Sequence, residues 1–320
     1  MDDITIERVR NTRQKLNDFV LETPVWRWQG QEIVDIVGAQ SEIFLKLELF
    51  QHTGSFKPRG AFTNLVGMKI PGAGVAAASG GNHGAAVAYA ASVLGIKARI
   101  FVPVISSPAK VARIAGYGAT IVQEGANYQA ALALCEDFVR ESGAVNIHAY
   151  DMETTLAGQG TLGRELEEQA PGLDRVLVAV GGGGLIGGIA AWYQAKSKII
   201  GVEPQTCNCL HAALAAGSTV TIKPSGLATD SLGASAAGSL MFPIAQKFID
   251  HVALVTDEDI RNAQRWLWSH AQIVAEPGGA TALAALLSGS YRPAKGERVG
   301  VIVCGANTPL SAFNELFTTA

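Results

Sequence analysis

A chain of 320 residues, 48% apolar and 17% charged, carries enough apolar side chain for a substantial core, which excludes disorder as its native state. Its net charge of −3 comes without any basic block, which excludes the electrostatic footprint of a nucleic-acid binder. Length alone allows two domains or one large α/β domain.

The first stretch, "MDDITIERVR", is charged and lacks the apolar segment of a secretory signal, so a cytoplasmic protein is expected. An apolar run, "EIFLKLELF", then leads into "GSFKPRGA" at positions 54 to 61. There Lys57 stands between Phe56 and Pro58, after an uncharged turn. A lysine removed from water loses stabilisation of its ammonium form. Its pKa falls, and the neutral amine becomes a nucleophile and a base. The plainer reading is a lysine that only solvates a loop.

Further on, short apolar runs alternate with longer Ala-rich ones. "GVAAASG" and "ARIFVPV" read as buried strands, with a helix between them from about Asn82 to Leu94. "SSPAKVARIAGYGA" reads as a helix with Ser107 as N-cap and Pro108 at the first helical position. "TIVQEG" reads as a strand and "NYQAALALCEDFVRESG" as a helix closed by Gly143. "RVLVAV", "LIGGIAAWYQAK" and "KIIGVEP" follow as strand, helix and strand. The alternation predicts an α/β protein with mostly parallel sheets and helices on their faces.

The uncharged stretch Val176 to Ala195 is long enough to span a bilayer, but six of its residues are glycine, four of them consecutive. A turn is the better reading, and no membrane association is expected. Glycines between a strand and a helix bring backbone N–H groups close to a ligand, and the helix start adds orphan donors and partial positive charge. The loop from Gly181 to Gly184 is thus a candidate phosphate cradle, or else a tight turn in a crowded core. Gly182, Gly184 and Gly187 also satisfy GxGxxG, and Glu203 ends the next strand near where a ribose-binding acid falls. Taken alone, this stretch suits a nicotinamide-dependent oxidoreductase.

"SGGNHGAA", from Ser79, joins a strand to a helix and can meet a carboxylate through the same backbone donors. His83 within it is either a base or a structural donor. "VGVIVCGANT" puts Cys304 just after an apolar strand, where ligands gather in open α/β sheets, though a small buried hydrophobe reads as well there. Cys135, Cys207, Cys209 and Cys304 form no CxxC pair and no zinc spacing, so free thiols are expected.

With these motifs in order, the chain resembles the serine/threonine dehydratase family of pyridoxal-phosphate enzymes, whose fold is type II, the tryptophan-synthase-β-like fold. "LKLELFQHTGSFKPRGA" resembles the family's Schiff-base segment, "SGGNHG" its substrate-carboxylate loop and "GGGGLIGG" its phosphate loop. "GVEP", "AEPGGATALAAL" and "VIVCGAN" follow in family order. The resemblance implies two open, mostly parallel sheets, a small domain of residues 74–148 set into a large domain of 1–73 and 149–320, and a homodimer. It implies that Lys57 binds pyridoxal 5'-phosphate covalently and acts as the Cα base. Phe56 would pack against the pyridine ring and Asn82 would bond its phenolic oxygen. Gly181, Gly182, Gly183, Gly184 and Leu185 would hold the phosphate through N–H groups, and Cys304 would face the pyridine nitrogen. Ser79, Asn82 and His83 would meet the substrate carboxylate.

The implied reaction removes water and then ammonia from a β-hydroxy amino acid, L-threonine or L-serine, to give a 2-oxo acid. Serine racemase, and dehydratases of 3-hydroxyaspartate or phenylserine, are the alternatives within the same resemblance. Racemases of this kind carry a serine where this chain has Gly80, which has no side-chain proton to give. The family's divalent-cation site pairs the "GVEP" glutamate, Glu203 here, with an aspartate six residues on, where this chain has Cys209. Hard cations prefer oxygen, which leaves room for a monovalent cation on Glu203 and carbonyls. Of the family's Ala-Asp-Gly near positions 224 to 232, only Asp230 can match.

Overall fold

The computed structural model describes residues 4–38 and 41–318, so the first three residues of the charged opening stretch lie outside it. The strands are β1 (Val25–Trp28), β2 (Glu42–Lys46), β3 (Val75–Ala78), β4 (Ala98–Val102), β5 (Thr120–Gln123), β6 (Val145–Asn146), β7 (Arg175–Ala179), β8 (Lys198–Pro204), β9 (Ile249–Val255) and β10 (Arg298–Ile302). They form a six-stranded sheet of order β1-β2-β10-β7-β8-β9 and a four-stranded sheet of order β5-β4-β3-β6. Only β1 runs antiparallel; every other pairing is parallel. Strands β3, β7 and β10 are buried along nearly their whole length, as parallel strands covered by helices on both faces must be.

The helix Asn82–Val93 lies between β3 and β4 as expected. The helix Tyr128–Ser142 opens with the Asn127 side chain accepting from the Ala130 N–H, and it closes at left-handed Gly143 (φ 71°). Ser107 stands at the N-cap of the helix Pro108–Ala115, but its buried hydroxyl makes no bond. The helix Gly184–Tyr193 stops earlier than expected because Gln194 turns left-handed (φ 49°).

Lys57 is the larger surprise. It lies not in a loop but at the first position of the helix Lys57–Gly67, followed at once by Pro58. Proline is tolerated in a first helical turn because its missing N–H has no intrahelical acceptor there. The far end of this helix packs Ala61, Phe62 and Leu65 into the core under the small sheet, together with Leu16 and Val20. Its start therefore lies at the seam between the two sheets, and the carboxyl ends of β3, β7 and β10 lead into Ser79, Gly181 and Cys304. Among the described residues, no helix is long and apolar enough to cross a membrane.

Candidate active site

The Lys57 segment is held from the far end of the chain. Thr53 (φ 59°) and Gly54 (φ 69°) turn left-handed. Ser55 then forms an antiparallel bridge with Gly305, the Phe56 N–H donates to the Cys304 carbonyl at 3.1 Å, and the Ala306 N–H donates to the Gly54 carbonyl at 2.9 Å. Lys57 Nζ donates to the Ala149 carbonyl at 2.9 Å and lies 5.0 Å from the centre of the Phe56 ring. Burial lowers its pKa to about 8, against the opposing pull of Cys304 and Glu276. The amine is thus about one-tenth neutral at pH 7, a far larger share than a solvated lysine holds.

The glycine loop lies beside this amine. Tyr150, next to Ala149, packs so closely on the loop that a Cβ on Gly182 would run into its ring, and one on Gly184 would come within 2.9 Å of its Cβ. Gly183 is left-handed (φ 92°), and a Cβ there would meet Met241 at 2.5 Å. Glycine at 183 is therefore required by backbone conformation and by Met241. The carbonyls of Gly181, Gly182 and Gly183 accept from Cys209 Sγ, the Gly238 N–H and the Gly187 N–H. The N–H groups of the first helical turn, including that of buried Leu185, have no intrahelical acceptor, which leaves a set of donors of the kind that binds phosphate at helix starts.

On the other wall, Ser79 Oγ accepts from the Gly81 N–H at 3.2 Å. The neighbouring His83 ring is buried, with Nε2 2.7 Å from the Ile147 carbonyl. Burial, reinforced by the Lys57 charge, pushes its pKa down to about 3, so it is a neutral ring donating from Nε2. That geometry is the structural-donor reading of His83. Asn82 opens into the cleft, with Nδ2 2.6 Å from Glu276 Oε1 and Oδ1 2.6 Å from Asn307 Nδ2. Cys304 is buried, its thiol pushed well above the ordinary range by burial, with Sγ 3.5 Å from the Gly278 carbonyl. It stays a protonated, weak donor.

Phe56, His83, Cys304 and Glu276 with its partner Asn82 thus lie around the Lys57 amine, and Ser79 and the glycine loop stand at neighbouring strand ends. Glu203 lies behind the loop, fully buried, with its two oxygens accepting from the Leu210 and His211 N–H groups at 2.9 and 2.8 Å. Burial raises its pKa to about 7. A carboxylate so placed at a helix start cannot reach a ribose, which removes the nicotinamide reading. Among the described residues, no group of three or more His, Cys, Asp or Glu gathers to hold a metal. Asp230 pairs with Lys110 across the cleft.

Sequence reasoning missed Glu276 and Asn307. Both stood in quoted motifs, "AEPGG" and "CGAN", but only the fold brings them to Asn82. Arg59 was missed too. It is buried with Glu48, Glu165 and Lys46 in a charged network behind the helix start. The residues of the cleft fit pyridoxal phosphate: an amine of lowered pKa stands beside a cradle of backbone donors, with an amide and a thiol between them.

The family model described as pyridoxal-phosphate dependent enzyme matches residues 16–305. Phenylserine dehydratase of Ralstonia pickettii is 35% identical over 313 residues, covering 96% of this chain and 94% of that relative. L-threonine ammonia-lyase of Thermotoga maritima is 32% identical, covering 98% of this chain and 78% of that one. The structure of maize serine racemase superposes with a TM-score of 0.91 at 32% identity, covering 98% and 97% of the two chains.

Proposed function

The chain belongs to the pyridoxal-phosphate-dependent enzyme family, and from that premise we propose that it is an ammonia-lyase of L-threonine or L-serine. When bound, the cofactor supplies the electron sink that stabilises negative charge at the substrate Cα. The glycine-loop N–H groups would hold its phosphate, and Asn82 and Cys304 would meet its ring. Ser79 and the helix start beyond it orient the substrate carboxylate. Lys57 takes the proton from Cα as general base. The Cβ–O bond breaks, the hydroxyl departs as water with the proton that Lys57 has taken, and the resulting enamine hydrolyses to a 2-oxo acid and ammonia. The reading includes a homodimer in the cytoplasm. It also takes residues 74–148 as a small domain set into the rest of the chain.

One observation carries this reading. The reading gives the site a base in Lys57 but no side chain at Gly80, so that position offers no acid to return a proton to the other face of Cα. Racemisation is the second reading, and Ser106 favours it. Its Oγ lies 2.5 Å from where a Cβ on Gly80 would be, so a hydroxyl borders the empty position. The test incubates the protein with L-threonine, L-serine, 3-hydroxyaspartate and phenylserine, and follows 2-oxo acid and D-amino acid together. Pyruvate or 2-oxobutyrate well ahead of any D-amino acid is expected. D-serine forming as fast as pyruvate, and disappearing in Ser106→Ala, would replace the lyase by the racemase. Release of 2-oxo acid from phenylserine alone would move the substrate to aryl β-hydroxy amino acids.

A further inference from the structure

We propose that Glu276 and Asn307 are positioning residues that lock the side-chain amide of Asn82 in one orientation and leave one of its N–H bonds free for the bound cofactor. The inference rests on the pyridoxal-phosphate reading of the cleft.

The argument follows a chain of hydrogen bonds whose two ends accept and do not donate. At one end is the Thr53 backbone carbonyl, turned into the cleft by the left-handed backbone at Thr53 (φ 59°). It accepts from Asn307 Nδ2 at 2.8 Å and also from Arg113. The same Asn307 nitrogen donates to Asn82 Oδ1 at 2.6 Å, so both its hydrogens are engaged. At the other end is the Glu276 carboxylate, whose Oε1 accepts from Asn82 Nδ2 at 2.6 Å. An acceptor at each end allows only one sense for both amides between them. Asn82 Nδ2 has two hydrogens, and one is held by Glu276. The other has no partner among the described residues and belongs to a half-buried side chain bonded to Glu276, whose charge acts on Lys57. A free donor of fixed direction is what an oxygen on the ligand ring requires.

The surroundings are shaped around this chain. A Cβ on Gly305 would collide with Glu276 Oε1, and one on Gly54 would come within 2.6 Å of Asn307 Oδ1. The Glu276 N–H is itself anchored to the Gly305 carbonyl at 3.1 Å. Protonation of Glu276 turns that end into a potential donor and leaves the Thr53 carbonyl alone to set the sense of the chain. Burial raises its pKa to about 7, against the Asn82 bond and the charges of Arg113 and Lys110, with Asp230 acting in the same direction as burial. Lys57 and Cys304 face it from the remaining sides. The lock is therefore firm above about pH 7 and slackens as pH falls through it.

The test uses purified holoenzyme of the wild type and two isosteric variants, Glu276→Gln and Asn307→Asp. Three readouts are followed: the absorbance of bound cofactor from pH 5 to 9, the rate of cofactor loss on dilution, and the melting temperature. The wild type should show a spectral step near pH 7 that Glu276→Gln abolishes while keeping its cofactor, because a glutamine can still present an oxygen to Asn82. Asn307→Asp sets acceptor against acceptor at Thr53 and Asn82, and should speed cofactor loss about tenfold, the effect of leaving one buried polar group unmatched. A step that persists unchanged in Glu276→Gln overturns the proposal, whatever the fate of Asn307→Asp. Equal cofactor loss in all three proteins overturns it as well. Borohydride reduction with peptide mapping separates the two levels. Cofactor fixed to a residue other than Lys57 in the wild type means that the reading of the cleft has failed. Fixation at Lys57 with indifferent variants means that only the lock has failed.

Discussion

Lys46 and Lys57 are two lysines enclosed by the same protein, and their partners differ in kind. Lys46 Nζ is fully buried and donates to Glu165 Oε1 at 2.6 Å, to the Thr23 carbonyl at 2.6 Å and to Gln169 Oε1 at 2.7 Å. Its three hydrogens match three acceptors, one of them charged. Lys57 has a single neutral partner among the described residues, the Ala149 carbonyl. Burial lowers the pKa of both, but only Lys46 has a hydrogen-bonded carboxylate that opposes it. Enclosure alone therefore does not make a lysine reactive. Enclosure without a hydrogen-bonded carboxylate lowers its pKa to about 8, and the same fold uses one lysine as a structural tie and leaves the other an amine with a single neutral partner.

The contrast can be broken from either side. Lys57→Ala should keep the melting temperature and circular dichroism of the wild type while turnover falls by about 10²–10⁴ or more, the range for loss of a positioned base. Turnover that survives with cofactor bound would take Lys57 out of the mechanism. Glu165→Gln should behave in the opposite way. It leaves Lys46 and Arg59 without one carboxylate in a dry site, and urea unfolding should show a loss of about 3–5 kcal/mol. A loss below about 1 kcal/mol would mean that the network behaves like a surface pair.

A smaller effect sharpens the comparison. Between about pH 8 and 10.5 the unfolded chain keeps a proton on Lys57 that the folded, cofactor-free protein has released. Stability should therefore rise with pH across that window, by roughly 3 kcal/mol. Lys57→Met should lack this rise, and thermal melts of the two cofactor-free proteins at stepped pH measure the difference. Parallel curves would show that Lys57 titrates as a solvated lysine.

The sequence was most readable where one short segment holds both the signal and its cause. The glycine loop and Lys57 are of this kind, since consecutive glycines and a lysine in an uncharged turn announce themselves locally. So are the central strands, where burial on both faces leaves continuous apolar runs. The helix Tyr128–Ser142 could be closed at Gly143 because a left-handed residue there favours glycine. Strands β1, "VWRW", and β9, "IDHVALV", were not readable, because each lies at an edge of the large sheet and mixes exposed with buried positions. Long-range partnerships were invisible for a different reason. Glu276 meets Asn82 across 194 residues and Glu165 meets Lys46 across 119, and no local pattern marks either pair. Only the folded topology creates them.

The bridge between Ser55 and Gly305 has a consequence in time as well as in space. The two residues are about 250 positions apart, and β10, which leads into Gly305, fills the gap between β2 and β7 in the large sheet. A ribosome adding about 5–20 residues per second takes tens of seconds to pass from one to the other. Throughout that interval the contacts of Gly305, Cys304 and Ala306 with the Gly54–Phe56 turn do not yet exist. The segment that carries Lys57 is thus held by residues made near the end of synthesis, and its folded surroundings depend on the last strand of the sheet.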